Sequence, residues 1–401
     1  MTRHDGLYQW TTTVATALPH LSVPQARVLA LWSFGMVLAR SCALTAVTAV
    51  LAELLGKKDT ALRQCLREWC YEAKDKRGQH RQSLDVQACF VPLLCWVIRL
   101  WQGQHMILAL DATHLAQTFI VLAVSVVYRG CAIPVAWVVL PAMDKGAWRQ
   151  HWLRLLRLLR PAIPRSMVVV VTADRGLYAR WLFRRIVRLG WHPFLRINVG
   201  GMFRPDHAPG QYRPLAAYAP QPGTQWKGTG VAFKSCGSQL RCTLLAYWLD
   251  GMTDRWLILT DLPPSACDAA WYGLRAWIEQ GFKVTKRGGW QWQRTRMTDP
   301  ERATRLWLAV SVATLWLLSV GEDGDQAITV ESPAHSMPPV SVRATAIPHR
   351  RRATCLRLKS VFRRGWCRVM AALLRHDPLP VGRLIPEIWP TARPLMEAVV
   401  T

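Results

Sequence analysis

Two carboxylates stand where a carboxylate is costly. The run MILALDAT brings Asp111 to the end of a continuous apolar segment, and SMVVVVTADRG does the same for Asp174. Segments this short and this apolar read as central strands of an α/β sheet. A charge in such a place carries a desolvation cost that packing alone rarely justifies. Strand ends at the open edge of an α/β sheet are where sites form, and if the two strands are neighbours their carboxylates are close enough to share a divalent cation. A third candidate, Glu279, lies in YGLRAWIEQGFKVTK, Tyr272 to Lys286. At about 100° per helical residue, Arg275, Glu279 and Lys286 fall at about 300°, 340° and 320° from Tyr272, so all four share one narrow wet face. Leu274, Trp277 and Ile278 cluster near about 140–240° and supply the apolar side a packed helix needs.

Three carboxylates with no histidine or cysteine among them form a hard-oxygen set suited to Mg²⁺ or Mn²⁺. Two such ions perform in-line phosphoryl displacement, one generating the nucleophile from water or a 3′-hydroxyl and the other stabilising the leaving oxygen. The neighbours then acquire a role: Arg275 with its fork and Lys286 as a point charge hold DNA phosphates, and Tyr272 hydrogen-bonds a phosphate or stacks on a base. Each residue also has a plainer reading. Asp111 or Asp174 alone could cap a helix or pair with Arg175, Glu279 alone could be a surface glutamate, and His114 reads as a residue supporting the carboxylates from behind.

The charge balance points to the same partner. Lys and Arg total 51 against 25 Asp and Glu in 401 residues, a net charge of +26, with a pI of about 10.4. That excess favours a polyanion, with DNA ahead of an anionic membrane surface. A 51% hydrophobic composition excludes a disordered chain. The longest apolar runs, such as Leu306 to Val320, fall short of the ~20 residues of a spanning helix, and MTRHDGLYQW lacks the apolar core of a signal peptide, so a cytoplasmic protein is expected. Eleven cysteines without a Cys-x2-Cys pair read as reduced thiols and not as a zinc module.

These residues need a scaffold, and the texture of the chain divides it into five parts. Residues 1–104 read as an all-helical N-terminal domain; within it TAVTAVLAELLGKKDTALRQCLREWC has the form of a helix-turn-helix, with Arg63 and Arg67 on its second helix. Residues 105–198 alternate strands and helices in the manner of an α/β sheet. Residues 199–264 turn to Gly- and Pro-rich punctuation with short strands at GVAFKS, LRCTLLAYWL and RWLILTDL, a β-rich insertion. Residues 265–325 return to helix and complete the core. Residues 326–401 form a basic, Pro-rich linker and C-terminal helical region, in which Arg350 to Arg375 carries nine Lys or Arg and no acid, either a solvated face or a contact for DNA phosphates.

The spacing Tyr272-x2-Arg275-x3-Glu279-x6-Lys286 resembles the Tyr-Arg-Glu-Lys signature of bacterial insertion-sequence transposases of the insertion-sequence-four type. The order of Asp111, Asp174 and the β-rich insertion before Glu279 resembles that family too, and the resemblance covers residues 105–320. It implies a ribonuclease-H-like fold and a DDE triad of Asp111, Asp174 and Glu279 holding two Mg²⁺ or Mn²⁺ ions, with Tyr272, Arg275 and Lys286 on the DNA. It also implies cut-and-paste transposition by a homodimer acting on terminal inverted repeats and target DNA, with a hairpin intermediate in the better understood members. Such proteins place an insertion aromatic against a flipped base, for which Trp226, Trp248 and Trp256 are candidates beside ordinary packing. A non-catalytic or domesticated DNA-binding derivative, and a structure-selective nuclease of the same fold, are the alternatives.

Overall fold

The apolar runs that end in Asp111 and Asp174 form adjacent parallel strands. The computed structural model describes residues 4–77, 81–115, 117–144, 146, 148–208, 210–322 and 360–390. In chain order the helices are α1 (Asp5–Ala17), α2 (Val23–Ala39), α3 (Leu44–Leu55), α4 (Asp59–Trp69), α5 (Phe90–Leu100), α6 (Trp148–Leu159), α7 (Arg180–Arg188), α8 (Ala276–Lys283), α9 (Pro300–Val320) and α10 (Val361–Arg375). The strands are β1 (His105–Leu115), β2 (Phe119–Tyr128), β3 (Cys131–Pro141), β4 (Val168–Ala173), β5 (His192–Arg196), β6 (Met202–Pro205), β7 (Arg213–Pro214), β8 (Thr224–Ala232), β9 (Leu240–Trp248) and β10 (Trp256–Thr260).

Among the described residues all ten strands lie in one sheet of order β3-β2-β1-β4-β5-β10-β9-β8-β6-β7. β1, β4 and β5 are parallel, and β2 runs against both β1 and β3. Every residue of β2 is buried, which is why its sequence shows no alternation. Arg129 and Gly130, at φ 39° and 76°, turn β2 into β3, the left-handed pair that a tight two-residue hairpin requires. The insertion does not stand apart as a separate sheet: β10 pairs antiparallel with β5, so the insertion strands continue the core sheet. The strand expected at GVAFKS begins earlier, at Thr224, where the alternating residues of TQWKGTGVA pair with β9.

Helix α9 is the long core helix. Asp299 caps it, accepting the Arg302 amide at 2.9 Å, and Pro300 sits in its first turn. By length and composition it could cross a membrane, but 94% of its apolar window is buried inside the protein, against elements including α2, α10 and β3. The apolar run looked shorter in sequence because Arg305 interrupts it; that side chain is buried against Glu72 and the Cys70 carbonyl. At the other end, Arg364 and Arg368 of α10 donate to the carbonyls of Gly321 (3.0 Å) and Val320 (2.9 Å), covering acceptors that a helix C-terminus leaves open. Part of the basic C-terminal run is therefore used for packing; the residues of that run before Ser360, and the Pro-rich stretch from 323, lie outside the described residues.

In the N-terminal region α3 ends at Gly56 in the left-handed conformation and α4 follows after a short turn, as the helix-turn-helix reading expects. Lys58 occupies the cap position of α4, with no side-chain hydrogen bond to its first turn. Leu62, Leu66 and Trp69 bury the inner side of α4, while Arg63 and Arg67 are exposed.

Candidate active site

Asp111 and Asp174 are neighbours by register. Leu110 of β1 pairs with Ala173 at the end of β4, so the two carboxylates follow side by side where the parallel strands end their pairing. Asp111 is anchored by the Ala112 amide at 2.8 Å, and Asp174 by the Arg175 amide at 2.7 Å. Arg175 does not pair with Asp174; its guanidinium reaches Asp254 at 2.9 Å, which Arg196 of β5 also holds at 2.9 Å.

The third carboxylate arrives on a composite helix. A 3₁₀ segment, Ala269–Arg275, runs into α8, which gives way to a π turn at Val284–Gly288. Residues three apart eclipse in a 3₁₀ turn, so Tyr272 and Arg275 align, and Glu279 follows four residues on in α geometry. Gly281 lets this helix approach the sheet: a Cβ there would lie 3.1 Å from the Ala132 Cβ and 3.2 Å from the Ala132 carbonyl oxygen of β3.

Arg275 draws these parts together. Its Nη2 donates to Asp111 Oδ2 at 3.1 Å and lies 3.8 Å from Asp174 Oδ2, while Nη1 donates to Glu279 Oε1 at 3.2 Å. The Tyr272 hydroxyl donates to Asp174 Oδ1 at 3.2 Å, and its ring meets Trp256 edge-on at 5.1 Å. Sequence reasoning assigned Arg275 to DNA phosphates; here the guanidinium, 10% exposed, lies among the three carboxylates. Lys286, carried by the π turn, is half-buried and has no hydrogen bond or ion pair to them among the described residues.

The electrostatics follow from one cation facing three anions. Burial pushes the Asp111 carboxyl up, against the opposing pull of Arg275. Burial alone would lower the Arg275 guanidinium, but Tyr272, Asp111, Asp174 and Glu279 outweigh it and hold it up. Burial raises the Tyr272 phenol, and Asp174 adds to it. Lys286 is lowered by burial and by Arg287, with Asp111 opposing.

The other candidates separate. Trp226 packs against Tyr218 and Phe203 at 4.5 and 5.8 Å, and Trp248 lies under the Arg255 guanidinium at 4.4 Å. Of the three insertion tryptophans, Trp256 touches the site, through Tyr272. His114 is exposed, and its odd spacing from Asp111 sends it to the other face of β1, so it does not support the carboxylates. The link from Trp256 to Tyr272, and the Arg175–Asp254–Arg196 cluster, were invisible in the sequence because they join residues with no common spacing.

A family profile for the transposase DDE domain matches residues 103–316, more than half of the 401 residues. The chain belongs to the DDE transposase family. No curated protein matches it at a significant level. The matched span contains Asp111, Asp174 and Glu279 and stops within α9. DDE transposases use divalent metal ions. Among the described residues, no three His, Cys, Asp or Glu side chains are gathered closely enough to hold an ion as they stand. The carboxylates are instead spaced around a guanidinium whose single charge leaves two of three negative charges unbalanced. An all-carboxylate set of that charge fits a hard divalent cation once Arg275 moves aside.

Proposed function

We propose that this chain is a catalytically active transposase of the insertion-sequence-four type, which nicks the 3′ strand at the inverted-repeat ends of its element and joins the freed ends to target DNA. The observation that carries this reading is the convergence of Asp111, Asp174 and Glu279, from two neighbouring strands and a crossing helix, on the one guanidinium of Arg275. The mixed core β3-β2-β1-β4-β5, with β2 opposing its neighbours, supports a ribonuclease-H-like fold for residues 105–198 and 265–325. Residues 199–264 are its insertion, 1–104 are the helical domain that binds the DNA end, and 326–401 are a basic, Pro-rich linker and C-terminal helical region.

In this reading Asp111, Asp174 and Glu279 hold two Mg²⁺ or Mn²⁺ ions. When bound, these supply an activated nucleophile and a stabilised leaving oxygen for in-line phosphoryl displacement. Tyr272 fixes the orientation of Asp174 through its hydroxyl. Arg275, released from the carboxylates, turns its fork to a phosphate near the cut end, and Lys286 adds a point charge beside it. The net charge of +26 suits double-stranded DNA, and a homodimer would bring two ends together.

The test uses Asp111→Asn, Asp174→Asn and Glu279→Gln, which remove charge and keep shape. Each should abolish Mg²⁺-dependent cleavage of a labelled end while a gel shift of the same end persists. Cleavage surviving in any one of them removes that residue from the catalytic set.

A further inference from the structure

A second cationic site lies away from the carboxylates. A cleft of about 370 Å³ opens between α4 and the loop that enters α9, and Arg63, Arg67, Arg296 and Arg302 all line it. Among the described residues none of the four forms an ion pair. The acid lining the cleft, Asp299, is engaged in capping α9, where it accepts the Arg302 amide at 2.9 Å. Four guanidiniums converging on one concavity repel one another, and among the residues lining it the single carboxylate of Asp299 offsets one of the four charges.

Tyr71 arranges two of them. The Arg302 guanidinium lies 4.2 Å and that of Arg67 5.5 Å from the Tyr71 ring centroid, and Arg67 Nε donates to the Tyr71 hydroxyl. Stacking occupies the faces of these cations and leaves N–H edges to donate, the geometry in which arginine grips phosphate. Arg296 is held at φ 53°, a left-handed backbone that non-glycine residues seldom adopt and that persists where the surroundings enforce it.

We infer that this cleft is a binding site for the phosphate backbone of DNA, gripped between the N-terminal helices and the catalytic domain. The inference rests on the transposase reading above and adds a location to it. Two arginines one turn apart on α4 face two more on the opposite wall, more charge than a single anion requires and suited to a run of phosphates. In place of a recognition helix standing alone, α4 contributes one wall of a composite site.

Full-length protein is treated with phenylglyoxal, an arginine reagent, and Arg63 and Arg296 are read by peptide mass spectrometry, free, with duplex DNA, and with inorganic phosphate at equal total phosphate. Protection by DNA and not by inorganic phosphate is expected. Equal protection by both identifies a free-anion site and overturns the inference. Unprotected arginines in protein that a gel shift shows bound to DNA overturn it and leave the proposed function standing; a missing gel shift overturns both. Independently, the double variant Arg63→Glu, Arg296→Glu should flatten the slope of log affinity against log salt by about 2, with an unchanged melting temperature. An unchanged slope overturns the site.

Discussion

Arg275 Nη2 lies 3.1 Å from Asp111 Oδ2, and the same guanidinium reaches Glu279 and Asp174, so one side chain is the internal counter-ion of all three carboxylates. A cation already in place competes with any that arrives. Breaking such a partly buried cluster by removing one partner leaves uncompensated charge.

Arg275→Gln should therefore tighten Mn²⁺ binding, by about tenfold or more if the lost competition is worth ~1.4 kcal/mol. In metal-free buffer its melting temperature should fall, and Mn²⁺ should restore it. Calorimetry and a thermal melt with and without Mn²⁺ check both. Weaker Mn²⁺ binding would instead make Arg275 an organiser of the carboxylates.

Tyr272→Phe removes the hydroxyl that donates to Asp174 at 3.2 Å and keeps the ring against Trp256. Stability should change by no more than about 1 kcal/mol, while cleavage slows. Trp256→Ala, which leaves the hydroxyl but removes the surface holding the ring, should slow cleavage as well. If Tyr272→Phe cleaves at the parent rate, the hydrogen bond does not orient Asp174.

How much of this was legible beforehand depends on the kind of signal. Asp111 and Asp174 stood out because a carboxylate ending an apolar run is a local anomaly, and their adjacency follows from strands that the same runs specify. Glu279 was reached through its spacing to Tyr272, Arg275 and Lys286. What the spacing concealed was direction. A uniform 100° step treats Tyr272 to Lys286 as one α-helix, whereas the chain passes from 3₁₀ to α to π, and the spacing cannot tell that Arg275 turns inward onto the three carboxylates and not outward to a phosphate. The joining of β10 to β5 was hidden for a different reason: pairing between distant strands leaves no local pattern.

Glu387 offers a pH test away from the site. Burial raises its carboxyl to about 6, against the opposing Arg129 amide, with Glu322 adding to the rise. An acid whose folded pKa exceeds its unfolded one binds its proton more tightly when folded, so stability is lost as pH rises from about 4.5 to about 6 and the cost persists above. Glu387→Gln should be more stable than the parent at pH 7, by up to about 2 kcal/mol, and indistinguishable near pH 4. Denaturant titrations at the two pH values decide it; equal stability at pH 7 would mean that the carboxylate is not penalised.

Gly281 sets the height of α8 over the sheet, and through it the position of Glu279. In Gly281→Val the new Cβ would meet the Ala132 Cβ at 3.1 Å and the Ala132 backbone at 3.2 to 3.3 Å. That backbone belongs to β3, which is tied to β2 along its length and has little room to yield. The helix must rise, at a cost of about 1–3 kcal/mol for overpacking. Glu279 rises with it, and a displacement of the order of an ångström at a reacting group is enough to cost about a hundredfold in rate. Cleavage should fall by that order while end binding by gel shift stays near the parent value, since no exposed cation is altered. Parent-like cleavage in a folded Gly281→Val protein would show that the close approach of α8 to β3 does not set the position of Glu279.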